Sequence, residues 1–257
     1  AGESDSGLLD PGRASAMVRS GRMMRRLYSA LFWGFLATSS IALFPVAVLI
    51  WALTAPFDRR KRALHLFTCF WASLYTWFNP VWPVRIEGRS KLRGQPARVL
   101  VANHLSLLDI LVLFRLFSHF KWVSKVENFR VPFIGWNMSL NRYIPLNRGS
   151  KKSVLQMMQA CEKTLQAGSS IMMFPEGTRS WDGKLLPFKK GGFVIARDGE
   201  LPILPVTIRG SHDRLPKGTA MFSPGLIEII VHPPVTTAGR EEREVREEVK
   251  GTIEGAL

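Results

Sequence analysis

Two short stretches of the chain carry side chains able to do chemistry. In VLVANHLSLLDI, over 99–110, a β-rich run ends in Asn103-His104 and reaches Asp109 five residues later. An imidazole within hydrogen-bond reach of a carboxylate is the base and its orienter, a triad without the serine: one ring nitrogen is held and the other takes a proton. Spacing decides whether the two can meet. Inside one helix, residues five apart point roughly 140° apart by the 3.6-residue period. Ser106 and Asp109, however, have the register of a capping box, which predicts a helix starting at Leu107 with Asp109 in its first turn. His104 then lies in the loop outside the helix, and Asp109, leaning toward the helix N-terminus, reaches back to it. These residues alone leave the plainer account open, in which Asp109 only caps its helix and His104 is an ordinary loop residue.

The second stretch is SSIMMFPEGTRSWDGKLLPFKKGG, over 169–192. An apolar strand ends in Phe174-Pro175-Glu176-Gly177-Thr178-Arg179-Ser180. Gly177 permits a tight turn, Arg179 offers a planar fork for phosphate, and Thr178 with backbone N–H groups can complete an anion pocket. Lys189, Lys190, Gly191 and Gly192 extend the basic loop. The spacing G-x(4)-G-K-[ST] of a P-loop is absent. By itself such a turn is equally a solvated loop.

The elements that must position these loops follow from Val84 onward, where β-rich runs alternate with helical periodicity. Strands are predicted at 84–87, 98–102, 122–124, 171–174, 203–208 and 227–232. Val154, Met158, Cys161 and Leu165 recur at helical spacing, with Gly168 as a stop. The expectation is an α/β domain over 84–257, a central sheet flanked by helices.

Ahead of it, 1–15 is rich in Gly, Ser and Asp and reads as a flexible leader, and 16–83 as a membrane-associated helical motif. No charge occurs from Leu27 to Phe57. A bilayer core of about 30 Å needs about 20 helical residues, so this stretch is long enough to span and too long for a signal-peptide core. Pro45 in its middle invites a kink or a re-entrant hairpin. A second apolar stretch holds Trp71, Tyr75, Trp77 and Trp82 and reads as an interfacial helix over 63–78. Basic residues precede the first stretch and fill Arg59-Arg60-Lys61-Arg62 between the two. The positive-inside rule therefore wants both places on the cytoplasmic face, which favours entry into one leaflet over a span without excluding a single span.

The net charge of +15, from 35 Lys and Arg against 20 Asp and Glu, implies an anionic partner. Two cysteines, Cys69 and Cys161, make neither a disulfide framework nor a metal cluster, so no metal is expected and a reducing compartment is favoured. No nucleic-acid recognition motif is visible, and binding to nucleic acid would leave the apolar N-terminus idle.

With these residues in view, NHLSLLD matches the N-H-x(4)-D signature and FPEGTRS the F-P-E-G-T-R-S signature of the 1-acylglycerol-3-phosphate acyltransferase family, which the chain resembles over roughly 84–233. WVSKVENFRVPFIGWNMSLNRYIPLNR and LPILPVTIRGS are similar to two further blocks of that family. The resemblance implies a glycerolipid acyltransferase fold and direct acyl transfer from acyl-CoA or acyl-carrier protein to the sn-2 hydroxyl of lysophosphatidic acid, with no other cofactor. His104 would deprotonate the acceptor and Asp109 would hold the imidazole. Glu176, Gly177, Thr178 and Arg179 would bind the glycerol phosphate, with Lys125 and Asn103 also at the substrate and Arg142, Arg148 and Lys189 as weaker candidates. Membrane lipid is then the partner, reached from the cytoplasmic face. Two rival readings keep other acceptors (glycerol-3-phosphate, a lysophospholipid or a lyso-aminolipid) or make the chain a silent membrane scaffold; intact His104, Asp109, Glu176 and Arg179 speak against the scaffold.

Overall fold

Val99, Leu100, Val101 and Ala102 are all buried, because the strand they form is covered on both faces. In the computed structural model, which describes residues 11–94 and 96–257, with side chains from Met23 onward, this strand is the centre of a seven-stranded sheet. The element order is α1 (Pro11–Thr54), α2 (Arg62–Trp77), β1 (Val84–Glu87), β2 (Val99–Ala102), α3 (Leu108–Phe114), β3 (Phe120–Lys125), α4 (Ile134–Leu140), β4 (Ile144–Leu146), α5 (Lys151–Gln166), β5 (Ser170–Met173), α6 (Gly191–Asp198), β6 (Ile203–Arg209), α7 (Ser211–Arg214), β7 (Ile227–Val231) and α8 (Glu242–Glu254). The α/β architecture and all six strands read from the sequence are present, with β3 longer than expected.

The strand order is β1-β7-β6-β2-β5-β3-β4. From β6 to β4 neighbouring strands run parallel, whereas β7 pairs antiparallel with β6 and carries β1 with it. Alternate residues face two cores. Leu100, Ala102, Met172, Leu204 and Val206 pack toward α2 and α3, while Val99, Val101, Ile171, Met173 and Ile203 pack toward α5, α6 and α8. From β2 the chain passes through α3 to β3, beyond β5; from β5 it passes through α6 to β6, on the other side of β2. Adjacent parallel strands thus send their connections over opposite faces, and the crevice at their carboxyl ends is where open α/β sheets bind ligands.

Helix α1 runs unbroken through Pro45, so the hairpin considered within 27–57 does not form. Met23–Thr54 is long and apolar enough to cross a membrane. Leu27, Leu31, Ile41, Leu49 and Leu53 stay exposed along it. The leader expected at 1–15 lies outside the described residues up to residue 10, and the helix begins at Pro11.

The first half of α1 is docked on the sheet domain. Arg25 donates to the Phe222 carbonyl and the Ser223 hydroxyl, and Trp33 Nε1 to Ala220 O at 3.0 Å. Phe32 meets Trp82 and Phe222 edge-on, with ring centroids 5.2 and 4.7 Å away. Such pairs contribute roughly 0.5–1.5 kcal/mol each beyond the area they bury.

Helix α2 departs from its expected interfacial role in one respect. Trp71 and Tyr75 are buried, the Trp71 indole donating to the Tyr75 hydroxyl at 2.7 Å, and Trp82 is fully buried; the large apolar side chains of this segment that face outward are Leu66, Phe70, Trp77 and Phe78. The aromatic residues serve two surfaces, a core on one side and an apolar exterior on the other.

Candidate active site

Strand β2 ends at Ala102, and the next two residues divide the work. Asn103 is fully buried: its side-chain amide donates to Ile208 O at 2.7 Å and its Oδ1 accepts from Ile208 N at 2.7 Å. The side chain thus adds a rung between β2 and β6 and does not face a substrate, which corrects its expected place among the substrate-binding residues.

His104 turns toward α3. Its Nδ1 lies 3.0 Å from Asp109 Oδ2, with the imidazole 12% exposed and the carboxylate wholly buried. The same oxygen accepts the backbone N–H groups of Leu105 at 2.7 Å and Ser106 at 2.8 Å. Helix α3 starts at Leu108, one residue later than expected, yet the carboxylate still reaches back over the turn as a capping-box acid does. The Ser106 hydroxyl accepts from Leu108 N and donates to Leu215 O, which ties the turn to the loop after α7. With Nδ1 facing a carboxylate that already accepts two amides, the ring hydrogen belongs on Nδ1. Nε2 is left as the free base. Phe174 lies flat on the imidazole, centroids 3.8 Å apart and planes within 7°, and fixes the plane of the ring.

Strand β5 delivers the second motif beside the first. Glu176 is only 3% exposed, and its two oxygens accept the N–H of His104 at 2.6 Å and of Leu186 at 2.8 Å. Ser180 N returns a bond to His104 O at 3.1 Å. Burial, aided by the nearby Asp109 charge, pushes the Glu176 carboxyl up to about 7 against the pull of those two amides. Glu176, expected to bind glycerol phosphate, has one oxygen on His104 N and the other on Leu186 N, so its side chain joins the two loops through their backbones.

The cations gather on the next three residues. Gly177 has φ +72°, the left-handed region, and Lys189 lies across it so closely that a Cβ would stand 2.8 Å from Nζ. Lys217 donates to Arg179 O at 2.8 Å, reaches Thr178 Oγ1 at 3.4 Å and sits 4.4 Å over the Trp181 ring. Among the described residues the Arg179 guanidinium has neither an ion pair nor a side-chain hydrogen bond. Thr178 is exposed. Arg179, Lys189 and Lys217 therefore bring three positive charges to a turn that is bonded to His104 O through Ser180 N, an arrangement suited to a phosphate. Lys217, Trp181 and Phe174 were not singled out from the sequence. Only the FPEGTRS context of Phe174 marked any of them.

The remaining candidates separate by end of the sheet. Lys125 closes β3 at its carboxyl end, on the side of His104, and pairs with Glu127 at 3.1 Å with both partners about half exposed. Arg148 follows β4 at that same end. Arg142 precedes β4, at the amino end, where its charge acts on Lys121 near the start of β3. It is therefore removed from the candidate site: register across the parallel β3–β4 pair puts the far end of the sheet between it and His104.

The chain is similar to known proteins. A family model described as Acyltransferase matches residues 83–209. The 1-acyl-sn-glycerol-3-phosphate acyltransferase of Chlamydomonas reinhardtii is 36% identical over 213 residues, covering 82% of this chain and 64% of that relative. One of the same name from Limnanthes douglasii is 31% identical over 192 residues, 74% of this chain and 67% of the relative. The crystal structure of the 1-acyl-sn-glycerophosphate (LPA) acyltransferase PlsC from Thermotoga maritima superposes with a TM-score of 0.74 at 25% identity, covering 90% of this chain and 95% of that one. The chain spans less than two thirds of the length of its algal relative.

Proposed function

The chain belongs to the acyltransferase family, and from that premise we propose that it moves an acyl chain from an acyl thioester to the sn-2 hydroxyl of 1-acyl-glycerol-3-phosphate, giving phosphatidic acid. The observation that carries this reading is the juxtaposition of an Asp109-held His104 with a turn ringed by Arg179, Lys189 and Lys217. His104 Nε2 takes the proton of the acceptor hydroxyl as its oxygen attacks the thioester carbonyl. The tetrahedral intermediate then expels the thiolate, which takes the proton back from the imidazolium, leaving ester, thiol and neutral His104. Asp109 stabilises the transient imidazolium and keeps Nδ1 the protonated nitrogen. The phosphate of the acceptor sits on Thr178, Arg179, Lys189 and Lys217, which sets its sn-2 hydroxyl at a fixed reach from His104. Lys125 and Arg148, at the same end of the sheet, supply positive field for the anionic thioester carrier, acyl-CoA or acyl-carrier protein.

Acceptor and product are both lipids, so the cleft works at a bilayer surface. The apolar exterior of α1 enters the membrane, and the exposed Arg59, Arg60 and Arg62 hold the chain to the cytoplasmic leaflet. The test is a panel assay on the full chain with labelled acyl-CoA or acyl-carrier protein and four acceptors: lysophosphatidic acid, glycerol-3-phosphate, lysophosphatidylcholine and a lyso-aminolipid. Product mass should show phosphatidic acid as the preferred product. Acylation of none of them with either donor removes the proposal.

A further inference from the structure

At the amino ends of β2, β3 and β5, opposite the candidate site, lies a second cavity of about 460 Å³. Its wall holds Arg62 from the start of α2, Arg89 and Arg93 from the turn after β1, Arg98 just before β2, and His119 ahead of β3. No carboxylate lines it, and none of the four arginines has an ion pair among the described residues. Arg98 is buried with one nitrogen donating to Lys91 O, Arg89 donates to Arg115 O, and Arg60 bonds the cavity-lining Gly168 through its carbonyl at 3.1 Å. Asp58, the acid whose charge reaches His119, has its carboxylate on Ala63 N. Arg98 is buried while Arg62, Arg89 and Arg93 are exposed, so four positive charges with no ion-pair partner among the described residues surround an open cavity, and their summed field draws an anion into it.

The rim indicates what kind of anion. Phe117, which lines the cavity, stacks on Trp77 with centroids 5.9 Å apart and planes at 17°, and Trp77 meets Phe70 at 6.0 Å. Arg115 sits 5.4 Å over the same indole. Trp77, Phe70 and Phe78 are exposed on the outward side of α2. An arginine pocket therefore opens beside an aromatic ledge belonging to the apolar N-terminal segment, the layout a phosphate headgroup and its acyl chains require. Strand β5 separates this place from the catalytic turn: Ser170 stands in the cavity wall and Met173 at the other end.

We propose that this cavity is a second phosphate site, distinct from the candidate active site, which takes the headgroup of an anionic bilayer phospholipid and pins the amino end of the sheet to the membrane. The inference rests on the reading of α1 and α2 as membrane-associated. It is tested by flotation of the full chain on phosphatidylcholine vesicles with and without phosphatidylglycerol, with acyl transfer in neutral micelles assayed in parallel. Wild type should bind the anionic vesicles more tightly. Arg89→Gln/Arg93→Gln should lose about 25-fold of that increment, from roughly fivefold per arginine near an anionic surface, while keeping neutral-vesicle binding and micellar activity. Arg93→Gln alone, which removes no side-chain hydrogen bond among the described residues, should lose about fivefold and guards against misfolding. The control Lys151→Gln/Lys152→Gln removes two exposed charges elsewhere; an equal loss there means diffuse attraction and overturns the site. Inorganic pyrophosphate is the free-phosphate arm: Arg89/Arg93-dependent thermal stabilisation by pyrophosphate, with no change in vesicle binding, would assign the cavity to a soluble anion and overturn the lipid assignment. Absence of binding to any vesicle, by contrast, would defeat the membrane reading itself.

Discussion

The Glu176 carboxylate accepts the backbone N–H of His104 at 2.6 Å, so the loop after β5 holds the loop after β2. Its other oxygen takes Leu186 N, and Ser180 N reaches back to His104 O. His104 and the 177–179 turn are therefore one unit whose spacing is set by backbone contacts, as preorganised positioning requires.

Replacing Glu176 by Gln tests this unit. An amide nitrogen cannot accept, so one of the two N–H groups is orphaned, at about 1–3 kcal/mol. We expect kcat to fall on the order of 10- to 100-fold, with a smaller change in KM because the cations on the turn remain. The same variant has a pH signature. A buried carboxyl raised to about 7 binds its proton more tightly in the folded state, so its contribution to stability is present at low pH and is lost as pH rises from the ordinary glutamate range through 7. Thermal melts across that window should decline in wild type and flatten in Glu176→Gln. Parallel curves would mean that Glu176 titrates normally.

Asp109→Asn separates orientation from charge. An amide oxygen in place of Oδ2 can still accept from Leu105 N, Ser106 N and Nδ1, but the neutral side chain no longer balances an imidazolium. By analogy with orienting aspartates elsewhere, kcat should fall about 10³- to 10⁴-fold, and His104→Ala should fall at least as far, while both variants still float with vesicles. Full activity in His104→Ala would remove the mechanism.

How far the sequence revealed this site follows from where the signals reside. The capping register of Ser106 and Asp109 is local, and it placed His104 and Asp109 in reach of each other before any fold was known; the helix started one residue late without harm, because the carboxylate bonds backbone on either side of that boundary. Asn103 and Glu176 were misread for one reason. Their distant partners, Ile208 for Asn103 and the His104 backbone for Glu176, lie on other elements, and a polar residue inside a motif looks alike in sequence whether it faces ligand or backbone. Lys217 left no local signal, because only the fold of the loop after α7 brings it to Thr178 and Arg179. Strand β4 was missed because Pro145 sits in a three-residue run; as the edge strand it tolerates the lost donor. Helix α8 is not among the elements read from the sequence, although Val245, Val249 and Ile253 bury one face of it at helical spacing.

Lys121 offers a second pH test, away from the site. It is buried in β3 and donates to Asn141 O at 2.8 Å, and burial lowers it to about 7. The unfolded chain binds this proton up to the ordinary lysine range, whereas the folded chain releases it near 7. Stability from this residue is thus full at high pH and is lost as pH falls toward 7. Lys121→Met should flatten the stability curve between about 7 and 10 and stabilise the protein at neutral pH, provided Asn141 O finds another donor. Denaturant midpoints at several pH values measure it, and an unchanged slope would show that Lys121 is ordinarily charged in the fold.

Lys217→Met probes the phosphate turn through the residue that sequence did not mark. Lys217 Nζ is held by Arg179 O and Thr178 Oγ1 and rests on Trp181, so its charge is fixed beside the turn. Methionine keeps the apolar stem over the indole and removes only the charge and its donors. A charge-assisted bond contributes about 1.5–3 kcal/mol, so KM for 1-acyl-glycerol-3-phosphate should rise roughly 10- to 100-fold. The kcat should change little if the phosphate contact is equally strong in ground and transition states. A monoacylglycerol acceptor, which lacks the phosphate, supplies the internal control: its poor kcat/KM should be the same in wild type and variant. If Lys217→Met slows both acceptors alike, Lys217 supports the loop and does not meet the phosphate.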